Sequence, residues 1–94
     1  MKKFVAPWMP PDYEEADVHA IRALQSGTAS VDQQQRALAY IINQLAGTYD
    51  LSYRPNSDHD TAFAEGKRFV GLEIVKFLNL DLRRIAQVKQ ETVK

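Results

Sequence analysis

Ninety-four residues, 45% of them hydrophobic and 26% charged, suit one small globular domain and exclude wholesale disorder. Twelve basic and twelve acidic residues balance to a formal charge of zero, which argues against a general nucleic-acid or membrane binder, whose net charge is usually positive. The absence of cysteine excludes disulfides and thiolate metal sites and fits a reducing compartment.

The first eleven residues, MKKFVAPWMPP, predict an extended arm. Pro7, Pro10 and Pro11 block helix, and no apolar run long enough for a secretory signal follows the two lysines. Phe4, Val5, Trp8 and Met9 make the arm apolar. Trp8 either folds back over the domain's own core or docks on a neighbouring subunit.

A single helical domain is expected over 12–90, with a frayed tail at 91–94. The first helix is predicted over 12–26: acidic Asp12, Glu14, Glu15 and Asp17 crowd its start, where the helix dipole favours them. Tyr13, Ala16, Ala20, Ile21 and Leu24 form its stripe, and Gly27 is a left-handed cap. The second is predicted over 30–46, opened by a capping box of Ser30 and Gln33 and stopped by Gly47. Its buried stripe is Leu38, Ile41, Ile42 and Leu45, flanked by Ala37 and Tyr40. Residues 48–60 then form a loop that Tyr49, Leu51 and Tyr53 would pin to the core, with Asp58 or Asp60 capping the next helix.

The third helix, TAFAEGKRFVGLEIVKFL over 61–78, has the longest helical rhythm in the chain. Phe63, Gly66, Val70, Ile74 and Phe77 share one face, expected to be the core face. Glycine in a helix interior costs about 1 kcal/mol against alanine, so Gly66 and Gly71 are read as places of close helix approach. Leucine at position 66 would then overpack. Asn79 ends this helix or caps a fourth, short one carrying Leu80, Leu82, Ile85, Ala86 and Val88. The pattern is all-α: a small bundle of three main helices plus a short C-terminal one.

No catalytic constellation emerges, and no cofactor is implied. Asp58-His59-Asp60 resembles a metal or acid–base cluster, yet neighbours in a turn do not converge and no zinc or calcium spacing is present. His59 with Ser57 lacks an orienting acid and an oxyanion donor. Gly66-Lys67-Arg68 resembles the end of a phosphate loop, without its upstream glycine and strand. Arg68 can pair with Glu65 within the helix or reach a partner protein. The first two helices could pass for a helix-turn-helix, but phosphate anchors are few; Arg83, Arg84 and Lys89 make a better basic patch.

The second helix, QQQRALAYIINQLAG, the linker ending in DHD, and TAFAEGKRFVGLEIVKFL together resemble a family of short tailed-phage and prophage proteins of a Bordetella-phage type. That family pairs "RALxYII" with "TAFxEGxRxVGLxIxxxL" and is encoded among head-morphogenesis and packaging genes. The likeness covers roughly residues 33–80. It is carried by Thr61, Ala62, Phe63, Glu65, Gly66, Arg68, Gly71 and Leu72, a packing motif rather than a catalytic one.

The resemblance implies a virion-associated or assembly protein, in the particle or in the host cytoplasm during assembly. Its partners would be portal or capsid-region proteins, with homo-oligomers and DNA contact as further possibilities and no role for a membrane. Trp8, Tyr49, Tyr53, Lys67 and Arg68 are the interface candidates. The alternative is a small terminase subunit or packaging adaptor forming a ring that contacts DNA.

Overall fold

A computed structural model describes residues 6–92, with side chains to residue 87. Phe4 and Val5 of the arm, Val93 and Lys94 of the tail, and the side chains of Val88 and Lys89 lie outside the described residues. The fold is all-α: four helices and no strand among the described residues. In chain order they are α1 (Glu15–Ser26), α2 (Val31–Tyr40, continued by a π-helical turn Ile41–Leu45), α3 (Asp58–Asn79) and α4 (Leu82–Thr92).

The helix boundaries follow local chemistry. Helix α1 begins at Glu15, three residues later than expected, because Asp17 Oδ2 accepts from the Glu14 backbone N–H at 2.9 Å and fixes the first turn there. It ends at Gly27, whose φ of 76° only glycine adopts without strain, with Thr28 N donating to Ala23 O at 2.9 Å. Helix α2 opens with the expected capping box: Ser30 Oγ accepts from Gln33 N at 3.1 Å, and Gln33 Oε1 accepts from Ser30 N at 3.0 Å.

The end of α2 departs from expectation. Ala46 N donates to Ile41 O at 2.9 Å, a spacing of five residues, so the last turn widens into π-helix. The chain then leaves through Gly47, at φ 58°. Thr48 closes the turn from outside: both its N–H (3.1 Å) and its hydroxyl (2.7 Å) donate to Ile42 O, and the whole residue is buried.

Helix α3 starts earlier than the aspartate caps imply. Ser57 is the cap, accepting from Asp60 N at 3.1 Å, so Asp58, His59 and Asp60 form the first helical turn. Helix α4 runs through Glu91 and Thr92, part of the tail expected to fray, and its start is held by Asp81 Oδ1 accepting from Arg83 N at 2.9 Å.

Packing is pairwise and thin. Helices α1 and α2 form an antiparallel-type hairpin in which Ala20 of α1 and Ala37 of α2 are fully buried, close approach being possible because neither side chain extends past Cβ. Tyr13, Ala16 and Leu24, expected in the α1 stripe, are exposed, as is Leu45 of α2. Among the described helices α3 meets only the π turn, and α4 packs against no other described helix.

Candidate functional site

The junction of α3 with the π turn organises the candidate site. Ala64 and Gly71 are the buried residues of α3, with Lys67, Arg68, Ile74 and Val75 half-buried beside them. The docked face is therefore 64–67/68–71–74/75. The stripe of Phe63, Gly66, Val70 and Phe77, expected to face the core, lies on a neighbouring side of the helix and is exposed; only Ile74 is shared between the two faces.

Glycine roles follow from this rotation. Among the described residues a Cβ at Gly66 would meet nothing within 4 Å, so Gly66 is not a close contact there, against the overpacking expected at 66. A Cβ at Gly71 would overlap the Thr48 hydroxyl and stand 2.9 Å from both Ala46 Cβ and Thr48 Cβ. Gly71 is the close-packing glycine, and Thr48 is the residue it accommodates. Nothing local in the sequence marks Thr48; its importance comes from the π turn, which delivers it to α3.

Lys67 and Arg68, expected near the outside, both turn inward. Lys67 Nζ donates to Pro7 O at 2.8 Å, tying the N-terminal segment to α3, where Ala6 and Pro7 are buried. Residues 6–9 form a turn, Met9 N donating to Ala6 O at 3.0 Å, rather than a straight arm, and Trp8 remains 58% exposed instead of covering the core. Arg68 Nε donates to Thr48 O at 3.0 Å while its Nη1 pairs with Glu65 at 2.9 Å. Glu65 also accepts from the Ser52 hydroxyl at 2.7 Å, and the Ser52 bond together with Arg68 holds its carboxyl below the usual range.

Backbone and polar bonds, not tyrosines, pin the loop before α3. Arg54 N donates to Thr61 Oγ1 at 2.7 Å, and Thr61 Oγ1 donates to Ser57 O at 3.1 Å or Arg54 O at 3.2 Å. Tyr49 and Tyr53, at 71% and 60% exposed, point away from the core together with Leu51, which corrects their expected anchoring role. As interface candidates, Trp8, Tyr49 and Tyr53 are accessible, whereas Lys67 and Arg68 already have partners within the chain.

A second feature is a cleft of about 400 Å³ between α1 and α2, lined by Asp12, Tyr13, Glu14, Asp17, Arg36 and Tyr40 among others. Arg36 spans it, with Nε on Asp17 Oδ1 at 2.9 Å and Nη2 on Glu14 Oε2 at 3.0 Å; Tyr40 donates its hydroxyl to Asp12 O at 3.2 Å. The Glu14 backbone N–H, and then Arg36, hold the Asp17 carboxyl below the usual range; burial pushes the Tyr40 phenol up. The guanidinium is already satisfied by two carboxylates, so the cleft reads as a brace between helices.

This brace has a pH signature. A carboxyl whose pKa is lowered on folding stabilises the fold above its unfolded value, near 4, and that contribution is lost as pH falls through the lower folded value. Asp17→Asn should therefore lower the melting temperature at pH 7, and the difference from the native chain should shrink as pH falls below about 4. An unchanged difference between pH 7 and pH 3 in thermal melts would contradict the brace.

Asp58, His59 and Asp60 project from successive positions of one helical turn, and no group of three metal-ligating side chains converges among the described residues. No described helix is long and apolar enough to cross a membrane. The class defined by fold and site is a small all-α protein built on a helical hairpin, with a long third helix seated on a π turn and a polar clasp at that seat. Comparison with family profiles, with curated proteins and with solved structures found no match to this chain.

Proposed function

We propose that this chain is a structural or assembly protein of a tailed-phage particle, placed in the head or head–tail connector region and acting through protein–protein contacts rather than catalysis. One observation carries the reading. Segment 61–78, which bears the family resemblance, leaves its apolar stripe of Phe63, Val70 and Phe77 in the open after the chain has folded. Large apolar side chains aligned on an exposed helix face are a common mark of a contact surface. Trp8, Tyr49 and Tyr53 add accessible aromatic anchors of the kind interfaces favour.

The test is quantitative mass spectrometry of gradient-purified particles and assembly intermediates from a producing host. The chain is expected at a fixed copy number relative to portal or capsid protein. Its absence from every particle and intermediate would overturn the proposal.

A second reading, a small terminase subunit or packaging adaptor, draws on Arg83 and Arg84, both exposed on the unpacked α4. It requires a ring and DNA retention that weakens steeply with salt. A chain that neither forms a ring nor binds DNA at low salt removes it.

A further inference from the structure

We infer that the exposed stripe of α3 pairs, antiparallel, with the same stripe of a second copy of this chain, about a two-fold axis near Val70. Phe63, Val70 and Phe77 recur every seven residues, the spacing of a seam between two long helices. They are 47%, 55% and 68% exposed, on a helix of 22 residues whose only described helical neighbour is the π turn. Among the described residues, no helix packs on this side of α3, and a Cβ at Gly66 would meet nothing within 4 Å, which leaves room for the approach of another helix.

Area supports an occupant of this size. A compact monomer of 10.7 kDa is expected to expose about 5,500 Å², and this chain exposes 8016 Å². Its radius of gyration is 17.1 Å, against about 12 Å for a compact domain of this length. The excess, about 2,500 Å², exceeds the ~800 Å² that each partner buries in a standard interface. The excess is summed over the whole chain, the unpacked α4 included, and leaves surface for an interface of that size.

The pattern along the stripe selects a second copy. Phe63, Gly66, Val70, Ile74 and Phe77 are spaced three, four, four and three residues apart, which reads the same in both directions about Val70. A two-fold axis through Val70 sets Phe63 level with the partner's Phe77 and the open space at Gly66 level with the partner's Ile74. An isologous contact needs such a self-complementary patch. The chain's zero formal charge adds no net repulsion between copies. This pairing is independent of whether the chain is found in a particle.

Light scattering after size exclusion should give twice 10.7 kDa for the native chain. Val70→Glu should return it to the single mass with its circular dichroism unchanged, because position 70 is exposed in the protomer. Since the chain has no cysteine of its own, Val70→Cys should form a disulfide-linked dimer on mild oxidation, whereas Tyr49→Cys, exposed on the loop, should form far less. A single mass for the native chain overturns the pairing. So does a multimer that Val70→Glu leaves intact while folded, or equal cross-linking of the two cysteine variants. If Val70→Glu fails to fold, the cysteine pair decides. Particle composition and solution mass are separate readouts, so failure of the pairing leaves the assembly reading standing, and the reverse.

Discussion

Gly71→Ala is expected to destabilise the chain by about 1–3 kcal/mol, even though the same change in an open helix stabilises by about 1 kcal/mol. The added methyl would overlap the Thr48 hydroxyl and press on Ala46 and Thr48 Cβ. Relief by rotation of Thr48 is blocked, because its hydroxyl donates to Ile42 O at 2.7 Å and the residue is completely buried. Arg68 holds the Thr48 carbonyl from the other side, so retreat of the loop would also break that bond. A domain of this size shifts its melting temperature by roughly 4–8 °C per kcal/mol, so thermal unfolding resolves the effect readily.

Gly66→Ala supplies the opposite sign and the control. A Cβ at position 66 meets nothing among the described residues, so alanine should stabilise the monomeric chain by up to about 1 kcal/mol. The measurement belongs in dilute solution, where pairing between copies does not contribute. If both glycine variants lose stability equally, α3 is rotated from the orientation described, and the Gly71–Thr48 contact is not the seat of the helix.

Ala20→Leu is the second large effect expected, a loss of about 1–3 kcal/mol. Ala20 and Ala37 are fully buried where α1 meets α2, so three more carbons at position 20 would press on the facing helix. Overpacking there would spread the hairpin and pull Arg36 from Asp17 and Glu14, since the brace spans the same two helices. Ala16→Leu, at an exposed position one turn earlier, should stay within about 0.5 kcal/mol of the native chain. Equal losses at 16 and 20 in denaturant titrations would mean that α1 presents a different face to α2.

These variants separate what the residues specify locally from what packing specifies. The serine–glutamine capping box, the two glycine stops and the all-α class were legible because each depends on side chains within a few positions of the backbone it fixes. The starts of α1 and α3 were displaced by three residues each. At both ends several polar groups compete to cap, and Asp17 bonding to Glu14 N and Ser57 bonding to Asp60 N prevailed. The π turn was not legible, because nothing in the apolar rhythm of α2 announces it; Leu45, on the expected stripe, is exposed after it and Ala46 is buried.

The candidate site divides in the same way. The exposure of Tyr49 and Tyr53 ran against their expected anchoring to the core, and the inward bonds of Lys67 and Arg68 were not legible, since their acceptors lie 60 and 20 residues away at Pro7 and Thr48. Periodicity identified a continuous apolar stripe on α3 and could not say what it would face. A repeat of three and four measures only that side chains share a side of one helix. Which side meets the same chain was decided by where the π turn delivers Thr48, and by the absence of a side chain at Gly71 to oppose it. The sequence by itself thus determined four helices, the Ser30 capping box, the glycine stops at Gly27 and Gly47, and an amphipathic α3. The tertiary structure decided that α3 docks through its small and polar side and leaves Phe63, Val70 and Phe77 outward, because close backbone approach, not apolarity, governs that contact.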